Sequence, residues 1–181
     1  MKLPNRLDVL LRGKARRLSQ GTQRTLARRL RRAMRAAGIV GAELSLTLSD
    51  DRELHELNRT FADEDHATDV LSFAQAEGAA VPAVGRYALG DIVISVEYAA
   101  RQAAAQGRAL PGELFHLAVH GLVHLLGFDH RDANEERVMF GYETALRTSA
   151  LASGPVERVS SPRRGRASRP AASSRRAHPL R

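Results

Sequence analysis

Apolar side chains recur along this chain with two different periods, and the switches between them mark out its elements. Residues 43–48, ELSLTL, alternate polar and apolar positions, the period-2 mark of a half-buried strand. DVLLR (8–12), DVLSFA (69–74) and ALGDIVISV (88–96) read as further strands. Between them the period lengthens. Over residues 22–37, Leu26, Leu30 and Met34 recur every four positions, ringed by Arg28, Arg29, Arg31, Arg32 and Arg35. That spacing predicts an amphipathic helix ending at Gly38. SDDRELHELNRTF predicts a helix capped by Ser49 or Asp50, with Leu54 and Leu57 on one side. EYAARQAAAQG (97–107) predicts another, closing at Gly107, and a long apolar helix follows over 111–126. The last helix opens at Asp132, with Glu135 three residues on in capping-box spacing. GAAVPAVGRY (78–87) reads as a loop.

Interleaved strands and helices predict an α+β fold, a small mixed sheet covered by helices, with a single long apolar helix late in the chain. From Ser153 onward Pro, Ser, Arg, Ala and Gly dominate. The expectation is one domain over 1–152 and a basic, disordered tail over 153–181. No internal repeat is visible.

Composition changes this picture in two ways. The 181 residues contain no cysteine, which excludes disulfides and thiolate ligands and leaves imidazole and carboxylate for any metal. The net charge of +8 is also unevenly placed. Residues 1–36 hold 12 Lys and Arg against one acid, and residues 155–181 hold 8 Arg against one. The middle, 37–154, holds 8 basic and 18 acidic residues, so two basic ends flank an acidic centre. Such an arrangement suits contact with a polyanion such as nucleic acid, or else is a set of solvated charges. Neither a secretory leader nor a bilayer-spanning stretch is expected, which suits a cytoplasmic protein.

The chemistry concentrates in HGLVHLLGFDH, residues 120–130. Four helical residues advance ~6 Å along the axis and return to the same side, so His120 and His124 can converge on one ion. Gly127 lets the backbone turn after the helix, and His130 comes back as a third ligand. Three imidazoles leave one position of a tetrahedral Zn2+ open to water, as in a catalytic site. His116 lies one turn earlier. Three histidines in a row along one helix cannot all reach one ion, so His130 is the expected ligand, and His116 supports a ligand, faces substrate or is simply packed. The spacing is that of the metzincin proteases, HExxHxxGxxH. Their general base follows the first histidine, and here that position is Gly121, which cannot accept a proton.

HGLVHLLGFDH, with ELNRTF…ATDVLSF (56–73) and LGDIVIS (89–95), resembles the YbeY family, bacterial zinc-dependent endoribonucleases also called rRNA maturation factors. The likeness covers roughly residues 40–150. It implies a sheet with helices on it, one Zn2+ per chain on His120, His124 and His130, and a cytoplasmic RNase specific for single strands. It further implies roles in small-subunit rRNA 3′-end maturation and ribosome quality control. The partners implied are rRNA and the small ribosomal subunit, a ribosomal protein and a ribosome-assembly GTPase, with no membrane. The family pattern LN-x3-R-x2-D-x-P-T-[DN]-V-L-S-F is broken twice, by Ala62 at the arginine position and Ala67 at the proline. Arg59, His66 or Arg86 is a candidate substitute.

The leading expectation is metal-dependent phosphodiester hydrolysis, with Asp129, a substrate phosphate oxygen or solvent as proton acceptor. Asp129 could equally orient His130. Thr68, Asp69 and Ser72 either position the strand beside the metal helix or serve only turn and strand geometry. No catalytic residue beyond the ligands is assigned. A metalloprotease-like hydrolase and a non-catalytic ribosome assembly factor with a structural metal are the alternatives.

Overall fold

Two strands of alternating leucines pair first in the chain. β1 (Arg6–Leu11) and β2 (Ala42–Ser49) run parallel, Arg6 opposite Glu43 and Leu11 opposite Leu48. The structure, a computed structural model, describes residues 3–75, 86–128 and 132–162. The connection between the two strands is a short 3₁₀ turn (Gly13–Arg17) followed by α1 (Gln20–Ala36), as a parallel pair requires. β4 (Tyr87–Ser95) lies parallel to β2 on its other side, and β3 (Val70–Ala74) pairs antiparallel with β4 at the edge. The order β1-β2-β4-β3 makes a small mixed sheet, and five helices cover it, the α+β architecture expected.

Alternation along the strands sorts side chains to the two faces of the sheet. Leu44, Leu46 and Leu48 of β2 and Ile92 and Ile94 of β4 join the main core with α1, α4 (Leu110–Leu125) and α5 (Ala133–Leu151). Leu71 of β3 and Val93 of β4 point to the other face, where they meet Leu54 and Leu57 of α2 (Asp51–Ala62). α3 (Val96–Ala105) follows β4 directly and packs on α4. α4 is the most deeply buried helix: it touches α1, α3, α5, β3 and β4, which explains why its sequence is apolar on nearly every side.

Element ends fall within about two residues of expectation, and the caps explain the choices. Asp50, not Ser49, caps α2, accepting from the Glu53 N–H at 3.2 Å, because Ser49 still pairs within β2. Asp132 caps α5, accepting from the N–H groups of Asn134 and Glu135. The loop expected over 78–87 falls mostly outside the described residues.

Residues 153–162, expected as the start of a disordered tail, lie against α1. Val156 and Val159 pack on the core, and the Val159 N–H donates to Ala36 O at 2.8 Å. Arg32 of α1 donates to the carbonyls of Ala150, Ala152 and Gly154 at 2.9, 2.7 and 3.1 Å, satisfying acceptors that the end of α5 leaves open. One arginine of the basic helix is thus a structural cap. Arg24, Arg28, Arg31 and Arg35 remain exposed.

Candidate metal centre

α4 places His120 and His124 on one side because four residues complete roughly one turn. Their Nε2 atoms are 3.2 Å apart, and their rings meet edge to face with centroids at 4.7 Å. Two imidazole lone pairs cannot face each other at that distance without a proton or a cation between them. For a tetrahedral ion with Zn–N bonds of ~2.0–2.1 Å, neighbouring ligand nitrogens sit about 3.3–3.4 Å apart. The observed pair fits two corners of such a site.

The helix then stops where it must. Gly127 takes φ +80, its N–H donates to His124 O at 2.7 Å, and the Phe128 N–H reaches back to Val123 O at 3.3 Å. These two bonds form a Schellman motif, which needs a left-handed residue and so favours glycine. Phe128 is buried against the Tyr142 ring of α5, centroids 5.1 Å apart, so the chain leaves α4 along a defined path. Asp129 and His130 lie outside the described residues. Among the described residues, no group of three or more potential ligands could hold a metal ion.

The position after the first histidine is glycine for a packing reason. A β-carbon on Gly121 would lie 2.8 Å from Ser72 Oγ and 2.9 Å from Ile92 Cγ2. Ser72 Oγ donates to Gly121 O at 3.3 Å, tying β3 to α4. A glutamate has no room here, so the metzincin general base is excluded by the sheet itself. Of the three residues read as either positioning the strand beside the helix or serving turn and strand geometry, Ser72 does the first. Asp69 instead caps the start of β3 through the Val70 N–H (2.8 Å) and accepts from Gln102 of α3 (3.0 Å), and Thr68 Oγ1 donates to Asp69 (3.3 Å).

α5 supplies the group that sequence reading missed. Glu143, buried, sits 3.1 Å from His120 Nδ1 through Oε2 and 2.7 Å from His116 Nδ1 through Oε1. Burial pushes its carboxyl up, but the hydrogen bonds from His116 and His120, and then their charges, outweigh it and bring the pKa down to about 2. An ionised carboxylate only accepts, so both histidines donate from Nδ1. That fixes the tautomer of His120 and leaves its Nε2 lone pair to face His124. His116 therefore shares the carboxylate of the ligand-bearing side without joining the Nε2 pair. Arg147, one turn beyond Glu143, brings Nη1 to 3.0 Å from His116 Nδ1 and 3.7 Å from Glu143 Oε1. The clue in the sequence was a glutamate in an apolar seam: Met139, Tyr142, Leu146 and Ala150 surround Glu143 on the buried side of α5.

Among the described residues, none of the three candidate substitutes for the cation at Ala62 touches these histidines. Arg59 is exposed on α2, His66 pairs with Glu64 at 2.6 Å, and Arg86 is 4.0 Å from Glu43.

With this geometry in place, comparison with known proteins is specific. The family described as Endoribonuclease YbeY matches residues 11–150. Endoribonuclease YbeY of Moorella thermoacetica is 53% identical over 115 residues, which cover 60% of this chain and 74% of that protein. Those of Listeria monocytogenes serotype 4a and Aquifex aeolicus are 46% and 45% identical, covering 57% and 60% of this chain and 70% and 69% of theirs. The solution structure of TM1509 from Thermotoga maritima shares the fold, with a TM-score of 0.50 at 21% identity, over 84% of this chain and 99% of that one.

Proposed function

The chain belongs to the endoribonuclease YbeY family, and on that premise we propose that it is a zinc-dependent endoribonuclease specific for single strands. Its place is in small-subunit rRNA 3′-end maturation and ribosome quality control, in the cytoplasm. The observation that carries the reading is the Nε2 pair at 3.2 Å with His120 oriented from behind by Glu143. His120, His124 and His130 would hold one Zn2+ per chain. Bound there, Zn2+ supplies a Lewis acid that polarises a phosphate oxygen and lowers the pKa of water to about 7.

The chain's own residues do the rest. Glu143 holds a proton on His120 Nδ1 and so keeps Nε2 available as a donor of electrons. Gly121 lets α4 lie flush on β3 and removes the protease-type base, which favours a phosphodiester over a peptide as substrate. Asp129, a phosphate oxygen of the RNA or solvent would take the proton. No helix among the described residues is long and apolar enough to cross a membrane. The partners proposed are rRNA in the small subunit, a ribosomal protein and an assembly GTPase. The catalytic domain spans residues 1–152, and its packing continues through the contacts of Val156 and Val159 before the basic tail.

The test is elemental analysis of the purified protein paired with cleavage of single-stranded RNA and of casein, with and without chelator. We expect one zinc per chain, chelator-sensitive cleavage of RNA and intact casein. His120→Ala should reduce RNA cleavage by roughly a hundredfold or more and release the metal. Loss of casein with RNA intact would establish the protease instead. Unchanged RNA cleavage by a folded, metal-free His120→Ala variant would remove the metal from the chemistry altogether.

A further inference from the structure

Several arginines in this protein are committed to structural partners. Arg32 serves three carbonyls, Arg101 pairs with Asp51 at 2.7 Å and lies over the Tyr98 ring, and Arg108 reaches the buried Glu113 at 2.8 Å. Arg147 differs. Nη1 lies 3.0 Å from His116 Nδ1, whose hydrogen is already given to Glu143, and 3.7 Å from Glu143 Oε1, and Nε is buried with no hydrogen-bond partner among the described residues. A buried donor left unpaired is unfavourable, so this side chain is not optimised for the fold alone. Glu143 does not saturate it, because Oε1 is 3.7 Å from Nη1, beyond hydrogen-bond reach. The side chain is 28% exposed, so the guanidinium can be reached from solvent.

We propose that Arg147 is a phosphate-binding residue for the RNA strand, set one helical turn away from the His120–His124 pair. This rests on the endoribonuclease reading above. A guanidinium presents planar donors to phosphate oxygens, and its charge does not titrate away near neutral pH. Its place follows from α4: Arg147 touches His116, whose ring centroid is 6.5 Å from that of His120. A phosphate held by Arg147 lies beyond His116 from one at the histidine pair, and the contact fixes the register of the strand.

The experiment measures binding of a 2′-O-methyl single-stranded RNA, which resists cleavage, by fluorescence anisotropy across a salt series. Zinc-loaded and zinc-free full-length proteins are compared. Arg147→Ala should bind about tenfold more weakly at low salt, and its log K against log salt slope should shrink by roughly 0.7, the share of one phosphate on a single strand. Arg147→Lys should recover most of the slope and only part of the affinity, since it keeps the charge and loses the fork. Arg52→Ala, an exposed arginine on α2, removes the same charge elsewhere and should change neither. If Arg147→Ala and Arg147→Lys, both folded by circular dichroism, keep wild-type affinity and slope, the proposal is overturned, even where stability or zinc affinity falls. A wild-type chain that cleaves and binds no single-stranded RNA overturns the parent reading as well.

Discussion

Helix α4 carries two sides built on opposite terms. Toward the sheet, Gly121 lies so close to Ser72 and Ile92 that a methyl group does not fit, and Leu122 is wholly enclosed in the core. Toward α5, the same helix presents His116 and His120 to a buried carboxylate, with both rings about a quarter exposed. The first side is stabilised by apolar area and close packing, additive and indifferent to chemistry. The second is a polar chain in which each member satisfies the next, and removing one strands its neighbour. The contrast teaches that stability and ligand geometry, though carried by neighbouring residues of one helix, rest on different contacts. They should therefore be separable by substitution.

The largest effect should come from the packed side. Leu122→Ala is expected to cost ~2–5 kcal/mol of stability in denaturant unfolding. The zinc affinity of the fraction that stays folded should be unchanged, and a collapse of affinity alongside stability would break the separation. Glu143→Gln acts on the other side. It keeps the volume but replaces a two-oxygen acceptor with one acceptor and one donor, so it cannot hold both Nδ1–H groups. Zinc affinity should fall by ~10–100-fold in a competition titration, with a smaller loss of stability. An unchanged affinity would mean that the carboxylate only fills space behind His120. Gly121→Ala sharpens the comparison from the packed side. The added methyl forces Ser72 and Ile92 to shift, at ~1–3 kcal/mol in a thermal melt, and RNA cleavage at low temperature should persist.

Much of this was readable because it is local. The period-2 run ELSLTL became β2, and the four-residue spacing of Leu26, Leu30 and Met34 became the buried seam of α1. The stop at Gly127 followed from needing a left-handed residue before the chain turned. The reading fell short where distant segments decide. Arg32 looked like part of a solvated or phosphate-binding stripe, yet it caps a helix more than a hundred residues later. Residues 153–162 looked too polar to pack, but two valines suffice once α1 offers a surface and a free carbonyl at Ala36.

By itself, the sequence determined the pairing of His120 with His124, because helix pitch alone sets which side chains share a side. It also determined the absence of a base at 121, since a residue without a side chain has no proton acceptor in any fold. Only the tertiary structure decided why that glycine is required, through the approach of Ser72 and Ile92 from the sheet. Only it could bring Glu143 to His120 across 23 residues and Arg147 to His116 across 31. Local geometry is written in spacing, whereas contacts between helices depend on how the whole core closes, and that is a property of every packed residue together.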